Sequence, residues 1–364
     1  MGEGSPRSPS AGGTLAVSLF VIALIIAAVE VSASRRVRMR RSVSETRAIL
    51  GTYVTITVVA GSETEGREHI AAGFARIAAL DQALSSYRPD SELARVNEAA
   101  ARGPVAASDD LYRVIEAGVA WHPRTFGAFD IAVAPLVSLW KACGKQDRLP
   151  TPEELERVRP LLGANRIALN AAARAVRFPV EGMRLDLGGL GKGYCADEVV
   201  KVLRRRGVRN ALVAMSGDIY ALGRREDGRP WRVGVQDPRR PDSPDAIIAI
   251  LGLSDKAVST SGNYQRFVEI QGRRYSHIVD PRTGLTADNV PSVTVVGPDT
   301  LTTDVLDTAL SVLGVKEGLA LVEKMPGVEV MFLTLDQRNE LHQACSKNFL
   351  AWNVGASGLD AHLK

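Results

Sequence analysis

The chain's densest group of chemically useful residues is LDLGGLGKGY, Leu185 to Tyr194, read as a strand-to-helix junction. Glycines ahead of a helix N-terminus let backbone N–H groups approach an anion closely, and Lys192 adds a mobile positive charge. Neither named phosphate loop fits. A Walker loop needs glycine at Asp186, and the dinucleotide fingerprint needs one at Tyr194. A second group lies in TLTTDVLDTALSVLG, where Asp304 and Thr308 are four residues apart and share a helix face, with Asp307 in reach. A carboxylate beside a hydroxyl suits Mg²⁺ completed by phosphate oxygens; a solvated or capping face is the plainer alternative. His277, in RRYSHIVDPRTG, stands where a strand runs into a turn, a common setting for catalytic groups and for structural histidines alike. Asp130 is an acid inside the apolar stretch TFGAFDIAVAPLVSLW, where burial demands a partner, a task or a helix to cap. Together these features suit a phosphate-bearing ligand.

The elements that carry them alternate irregularly. AILGTYVTITVVA, residues 48–60, reads as a strand, and Ile70, Phe74, Ile77, Leu80 and Leu84 mark one helix face. Helices are expected after Ser108, from Thr151 (N-cap, proline and capping-box glutamate), over 192–206 and over 300–313. Strands are expected between Arg166 and Leu187 and in 210–223, 231–236, 246–252, 264–279 (a hairpin turning at Gln271-Gly272), 291–296 and 328–335. Hairpins mixed with helices, without a βαβ rhythm, predict an α+β fold of mixed or antiparallel sheets with packed helices. No internal repeat or long linker divides it.

The 364 residues, 45% hydrophobic and 24% charged, exclude wholesale disorder and a polytopic membrane protein. Residues 1–47 hold seven arginines and three glutamates, which is the whole formal excess of +4. The rest is neutral in sum, which excludes a nonspecific nucleic-acid binder. Cys143, Cys195 and Cys345 are few and far apart, so neither a disulfide framework nor a thiolate zinc site is expected. Leu15–Val29 is an uncharged apolar run of 15 residues, long for a signal core and short for a spanning helix. Small residues at Val31-Ser32-Ala33 favour cleavage and export, whereas Arg35, Arg36, Arg38, Arg40 and Arg41 favour retention on the cytoplasmic side. Residues 1–47 are therefore read as a signal or membrane anchor with a basic arm, 48–345 as the catalytic body and 346–364 as a tail. The expected location is the cell membrane or the extracytoplasmic space, with a cytoplasm-facing anchor as the alternative. No cysteine follows the run to carry a lipid.

From Leu50 to Leu335 the chain resembles the ApbE family, Mg²⁺-dependent FAD:protein FMN transferases, through six motifs in family order. LGTYVTI resembles the opening M-G-T strand, with Leu50 for methionine. SSYRPDSELARVN resembles Y-x-P-x-S-E-x-x-x-x-N, GAFDIAVAPLVSLW the G-A-F-D block and LDLGGLGKGYCAD the central motif. STSGNYQRF with HIVDPRTG, and TTDVLDTAL, resemble the remaining ones. The resemblance implies Leu50, Tyr87, Ala128, Phe129, Asp130, Asp186, Lys192 and Ile278 at FAD, His277 and Asp304 in catalysis, and Gly189 (by its carbonyl), Asp304 and Thr308 on Mg²⁺. It implies transfer of FMN from FAD to a threonine or serine hydroxyl of an acceptor protein with a D-x-x-S/T-G-A-T-like motif, releasing AMP. The acceptor would be a membrane redox subunit or an FMN-binding domain. The alternatives are a Mg²⁺-dependent FAD hydrolase and a non-catalytic flavin-binding envelope protein. Two departures stand out: Ser216-Gly217-Asp218 where a double glycine and an acid are usual, and Leu285-Thr286 where an aromatic-proline pair is common.

Overall fold

The computed structural model describes residues 40–243, 245–262 and 267–355. The apolar run and most of the basic arm therefore lie outside the described residues, as do residues 263–266 of the STSGNYQRF motif. Among the described residues, no helix is long and apolar enough to cross a membrane.

The strands are β1 (Arg41–Ile49), β2 (Thr52–Ala60), β3 (Val105–Ala106), β4 (Ala168–Asn170), β5 (Ala175–Arg177), β6 (Ala211–Met215), β7 (Asp218–Leu222) and β8 (Trp231–Gln236). They continue as β9 (Ile247–Leu253), β10 (Lys256–Gly262), β11 (Phe267–Ile270), β12 (Arg273–Ser276), β13 (Ser292–Gly297), β14 (Glu329–Leu335), β15 (Leu341–Cys345) and β16 (Asn353–Gly355). The helices are α1 (Glu63–Leu84), α2 (Glu92–Ala99), α3 (Asp109–Arg124), α4 (Ala134–Lys145), α5 (Pro152–Val158), α6 (Gly191–Arg205) and α7 (Thr300–Val322). One eight-stranded sheet, in the order β1-β2-β6-β7-β10-β13-β14-β15, is antiparallel throughout. The fold is α+β, as the irregular alternation of elements predicts.

Strand periodicity explains the layers. Along β14, Val330 and Phe332 join the core under the helices, whereas Met331 and Leu333 join a second core on the opposite face. The first core takes Phe74 and Ile77 of α1, Val199 and Leu203 of α6 and Leu306 and Leu310 of α7. The second is closed by the small sheet β16-β9-β8, with Trp231, Leu251 and Phe349 inward. A satellite cluster of Leu136, Trp140 and Ile270 packs α4 beneath the β11-β12 hairpin.

The segment read as one strand over 48–60 is the second half of a hairpin. Leu50 (φ 58) and Gly51 (φ 67) form its two-residue turn, and Ile49 pairs with Thr52. The sequence RSVSETRAI hides β1 because only Val43 is buried, the polar make-up expected of an edge strand. The packed body thus begins at Arg41, inside the segment assigned to the basic arm. It also extends past Cys345, since Phe349 is buried and β16 pairs with β9. α7 breaks at Gly314 (φ 75), where the sequence pattern ends the helix, and a further helical stretch follows.

Two polar ties fix the helices that carry the site. Arg76 of α1 donates to Asp110 of α3 at 2.8 and 2.5 Å and to Glu198 of α6 at 2.6 Å. Asp197 of α6 accepts from the Thr300 and Leu301 amides, both at 2.9 Å, and so caps the start of α7. Burial pushes the Asp197 carboxyl up to about 6, although those two bonds oppose the shift.

Candidate active site

The glycine cluster forms a tight turn into α6. Leu187 C=O accepts from the Gly191 amide at 2.7 Å, and the N-cap residue Leu190 offers no side-chain cap. Lys192, in the first helical turn, sends its ammonium into a group of acids. It pairs with Asp218 at the start of β7 and lies 3.4 Å from Asp304 of α7. The Gly193 amide donates to the other Asp304 oxygen at 2.8 Å. Gly193 is required by the crossing itself: a Cβ there would lie 2.4 Å from the Thr300 carbonyl oxygen.

Asp218, Asp304 and Asp307 are buried and present carboxylate oxygens within 4.8 Å of one another. Thr308 Oγ1 lies 3.3 Å from Asp307 Oδ1. Gly189 completes the arrangement, since a Cβ there would meet Thr308 Oγ1 at 3.0 Å and the Phe129 ring at 3.1 Å. Of the three residues assigned to metal, Gly189 thus lies against Thr308 and the Phe129 ring, and Asp304 is one helical turn before Thr308 on α7.

Burial first, then the Asp218 charge, raises the Asp304 carboxyl well above its ordinary range; burial, Asp218 and Asp304 raise Asp307 in the same way. Burial alone would lower the Lys192 ammonium, but Asp218, Asp304 and Asp307 more than offset it and raise it. One ammonium does not offset three ionised carboxylates in a low-dielectric site, so Asp304 and Asp307 are driven toward their neutral forms. A divalent cation would favour their ionised forms, and these hard oxygen donors fit a Mg²⁺ ion.

The remaining predicted residues lie on other elements, and not all of them are tied to this cluster by a contact. Leu50 lies in the β1-β2 turn, and the Tyr87 ring covers that turn: a Gly51 Cβ would be 3.0 Å from Tyr87 Cε2. Tyr87 is 69% exposed, so one face of its ring is open to solvent. The β6-β7 turn ahead of Asp218 is at the same end of the sheet, its Ser216 amide donating to Tyr53 C=O at 3.1 Å. Ala128 and Phe129 are buried, and the Asp186 amide donates to Ile131 C=O at 2.8 Å, joining the G-A-F-D and glycine motifs. Asp186 Oδ1 accepts from the Gly188 amide at 2.8 Å. Ile278 is buried, its amide donating to Ser276 Oγ at 3.1 Å. His277 is half-buried beside it and stands outside the carboxylate cluster.

Asp130 has the capping task. Its carboxylate accepts from the amides of Ala132 (2.8 Å), Gly163 (2.7 Å) and Ala164 (2.9 Å). The side chain thereby clamps the loop that carries Ala128 and Phe129. Asp130→Ala is expected to cost on the order of 3 kcal/mol, because three amides lose their acceptor, two of them in buried residues. The check is the denaturant midpoint, which should fall at unchanged m.

Sequence reading missed Asp218 as a site residue, treating Ser216-Gly217-Asp218 as a turn. The available signal was an acid opening the apolar strand DIYAL, whose other residues are all uncharged.

Comparison with known proteins follows the same lines. The chain is 32% identical over 313 residues to a FAD:protein FMN transferase of Treponema pallidum, covering 82% of this chain and 86% of the relative. A Vibrio cholerae protein of the same name is 34% identical over 247 residues, covering 67% and 73%. Among solved structures, the flavin transferase ApbE of Vibrio cholerae matches with a TM-score of 0.73 at 30% identity, covering 86% of this chain and 99% of that one. The apo form of the Pseudomonas stutzeri flavinyl transferase ApbE gives 0.76 at 30%, covering 87% and 98%. A model of the ApbE family matches residues 50–332, and the chain belongs to that family.

Proposed function

We propose that the protein transfers the FMN half of FAD to a threonine or serine hydroxyl of an acceptor protein, in a Mg²⁺-dependent reaction that releases AMP. The relatives' shared name, FAD:protein FMN transferase, supports the reaction class. The observation that carries the rest is the buried Asp218-Asp304-Asp307 group, with Lys192 between two of its members, against the glycine turn.

The chemistry needs the acceptor oxygen to form a bond to the FMN phosphorus while the bond from that phosphorus to the AMP oxygen breaks. The hydroxyl proton must go to a base, and AMP leaves with the bonding electron pair. Mg²⁺, held by Asp304, Thr308 and the Gly189 carbonyl, would neutralise charge on the diphosphate and its leaving group. Lys192 is held by Asp218, so its charge is positioned before substrate arrives rather than recruited by it. Tyr87, on the Leu50 turn, offers a face for the isoalloxazine ring, and Phe129, carried by the clamped loop, packs its ring against Gly189. His277 is the proposed proton acceptor, being the half-buried imidazole of the HIVDPRTG motif. Incubation with FAD, Mg²⁺ and a protein carrying a D-x-x-S/T-G-A-T-like segment tests the proposal: acceptor-bound flavin fluorescence should appear only when all are present. FMN and AMP with no labelled acceptor would favour the hydrolase.

The hydroxyl belongs to another chain. Asp280-Pro281-Arg282-Thr283-Gly284-Leu285-Thr286 echoes the acceptor motif but is folded into a closed turn. The Gly284 amide donates to Asp280 C=O at 2.8 Å, and the Asp280 amide to Leu285 C=O at 2.7 Å. Thr286 Oγ1 donates to Asp288 at 2.7 Å. Mass spectrometry of the protein after incubation with FAD and Mg²⁺ should find no FMN adduct; one at Thr286 would contradict the reading.

A further inference from the structure

The end of the main sheet opposite the Leu50-Gly51 turn has a different character. There β1 starts, with Arg41 opposite Ala60, and α6 ends at Arg205. The Val59 amide donates to Asn210 C=O at 3.0 Å, binding β2 to the start of β6. These ends surround a cavity of about 420 Å³ whose lining includes Arg40, Arg206, Arg209, His69 and Glu65. Of the neighbouring acids, Glu63 is paired with Arg67 at 2.7 Å, whereas Glu65 and Glu226 keep their charge while accepting from the Gly61 (3.1 Å) and Ser42 (2.5 Å) amides. Arg40, Arg205 and Arg209 are exposed and make no ion pair among the described residues.

We infer that this basic end docks the body onto an anionic lipid surface, with the FAD site turned away from it. The inference rests on reading Leu15–Val29 as a membrane segment. Three observations converge on it. The unpaired arginines complement an anionic headgroup layer, whose attraction acts within a Debye length. The chain enters the described body at Arg40, at this same end, and a connection of about ten residues from Val29 reaches at most roughly 35 Å, which keeps this end close to any bilayer that holds the apolar run. Lys192 and Arg205 lie near opposite ends of α6, about 20 Å apart by helix rise, so a docked basic end leaves the site facing solvent and a soluble acceptor. None of the exposed large hydrophobic side chains among the described residues falls in these segments, and aromatic or aliphatic anchors are what a protein partner would use. An apolar segment plus a basic patch is a two-signal attachment.

The test uses the full chain reconstituted into phosphatidylcholine vesicles, with and without phosphatidylglycerol, and reads flotation and amide exchange. The chain should float with both. Exchange over residues 204–210 and 61–66 should slow about tenfold only on the anionic vesicles, and Arg205→Gln/Arg209→Gln should abolish that slowing while leaving FMN transfer to a soluble acceptor unchanged. Failure to float with phosphatidylcholine overturns the membrane-segment reading itself. Flotation with equal exchange on both vesicles overturns the docking alone. Equal slowing by inorganic phosphate on neutral vesicles also overturns it, assigning the arginines to a soluble anion instead.

Discussion

Asp304→Ala is expected to lower FMN transfer by at least about a thousandfold while weakening FAD binding by less than tenfold. The side chain meets Lys192, accepts from the Gly193 amide and lies close to the carboxylates of Asp218 and Asp307. Removing it takes away one proposed Mg²⁺ ligand and one partner of the lysine, both of which, in the proposed reaction, act on charge that develops as the phosphoryl group moves. The flavin ring is assigned elsewhere, to Tyr87 and the Leu50 turn, so ground-state affinity is largely spared. The measurement is a pair of titrations, FAD binding by fluorescence quenching and transfer rate against Mg²⁺ concentration. A mutant whose Mg²⁺ dependence and rate match wild type would remove Asp304 from the metal site.

Gly193→Ala should also slow the reaction strongly, by on the order of a hundredfold, although alanine is the better helix former by about 1 kcal/mol. Its Cβ would lie 2.4 Å from the Thr300 carbonyl oxygen and 2.8 Å from Leu301 Cα, both backbone atoms that cannot rotate aside. The start of α7 must therefore move off α6, carrying Asp304 away from Lys192. Overpacking of this kind costs about 1–3 kcal/mol of stability, and a shift approaching 1 Å at a phosphoryl-transfer site costs on the order of a hundredfold in rate. Gly103→Ala is the matched control, because nothing lies within 4 Å of a Cβ there. Thermal melts and transfer rates of the two variants, measured together, separate crowding at the α6-α7 crossing from any general intolerance of alanine. Equal rates would show that the crossing tolerates the shift.

What the sequence reveals depends on how locally each feature is encoded. The capping box at Thr151 and Glu154 appears as read, because all its atoms come from four consecutive residues. Asp304 and Thr308 share a face because helix geometry alone puts them there. Asp218 joins them only through the sheet: β7 pairs with β10, and α6 and α7 pack over that sheet, so no local spacing announces it. β1 was hidden for a related reason, since an edge strand needs few buried residues and shows little alternation. Helix α4 has no counterpart among the expected helices; Pro135 stands in its first turn, where a proline starts a helix rather than breaking it. Asp130 was legible as a buried acid needing a task, but its three amide donors come partly from Gly163 and Ala164, more than thirty residues away.

The buried acids and Lys192 are proposed to form a Mg²⁺-dependent site for moving FMN onto another protein. The most direct measurement is a single-turnover reaction of purified protein with FAD and an acceptor domain carrying the D-x-x-S/T-G-A-T-like segment, with and without Mg²⁺. AMP release and acceptor-bound FMN are followed together. The two should appear in equal amounts, only with Mg²⁺, and both should vanish when the acceptor hydroxyl residue is replaced by alanine. AMP released at the same rate without that hydroxyl, or flavin transfer undiminished in the presence of a chelator, would contradict it.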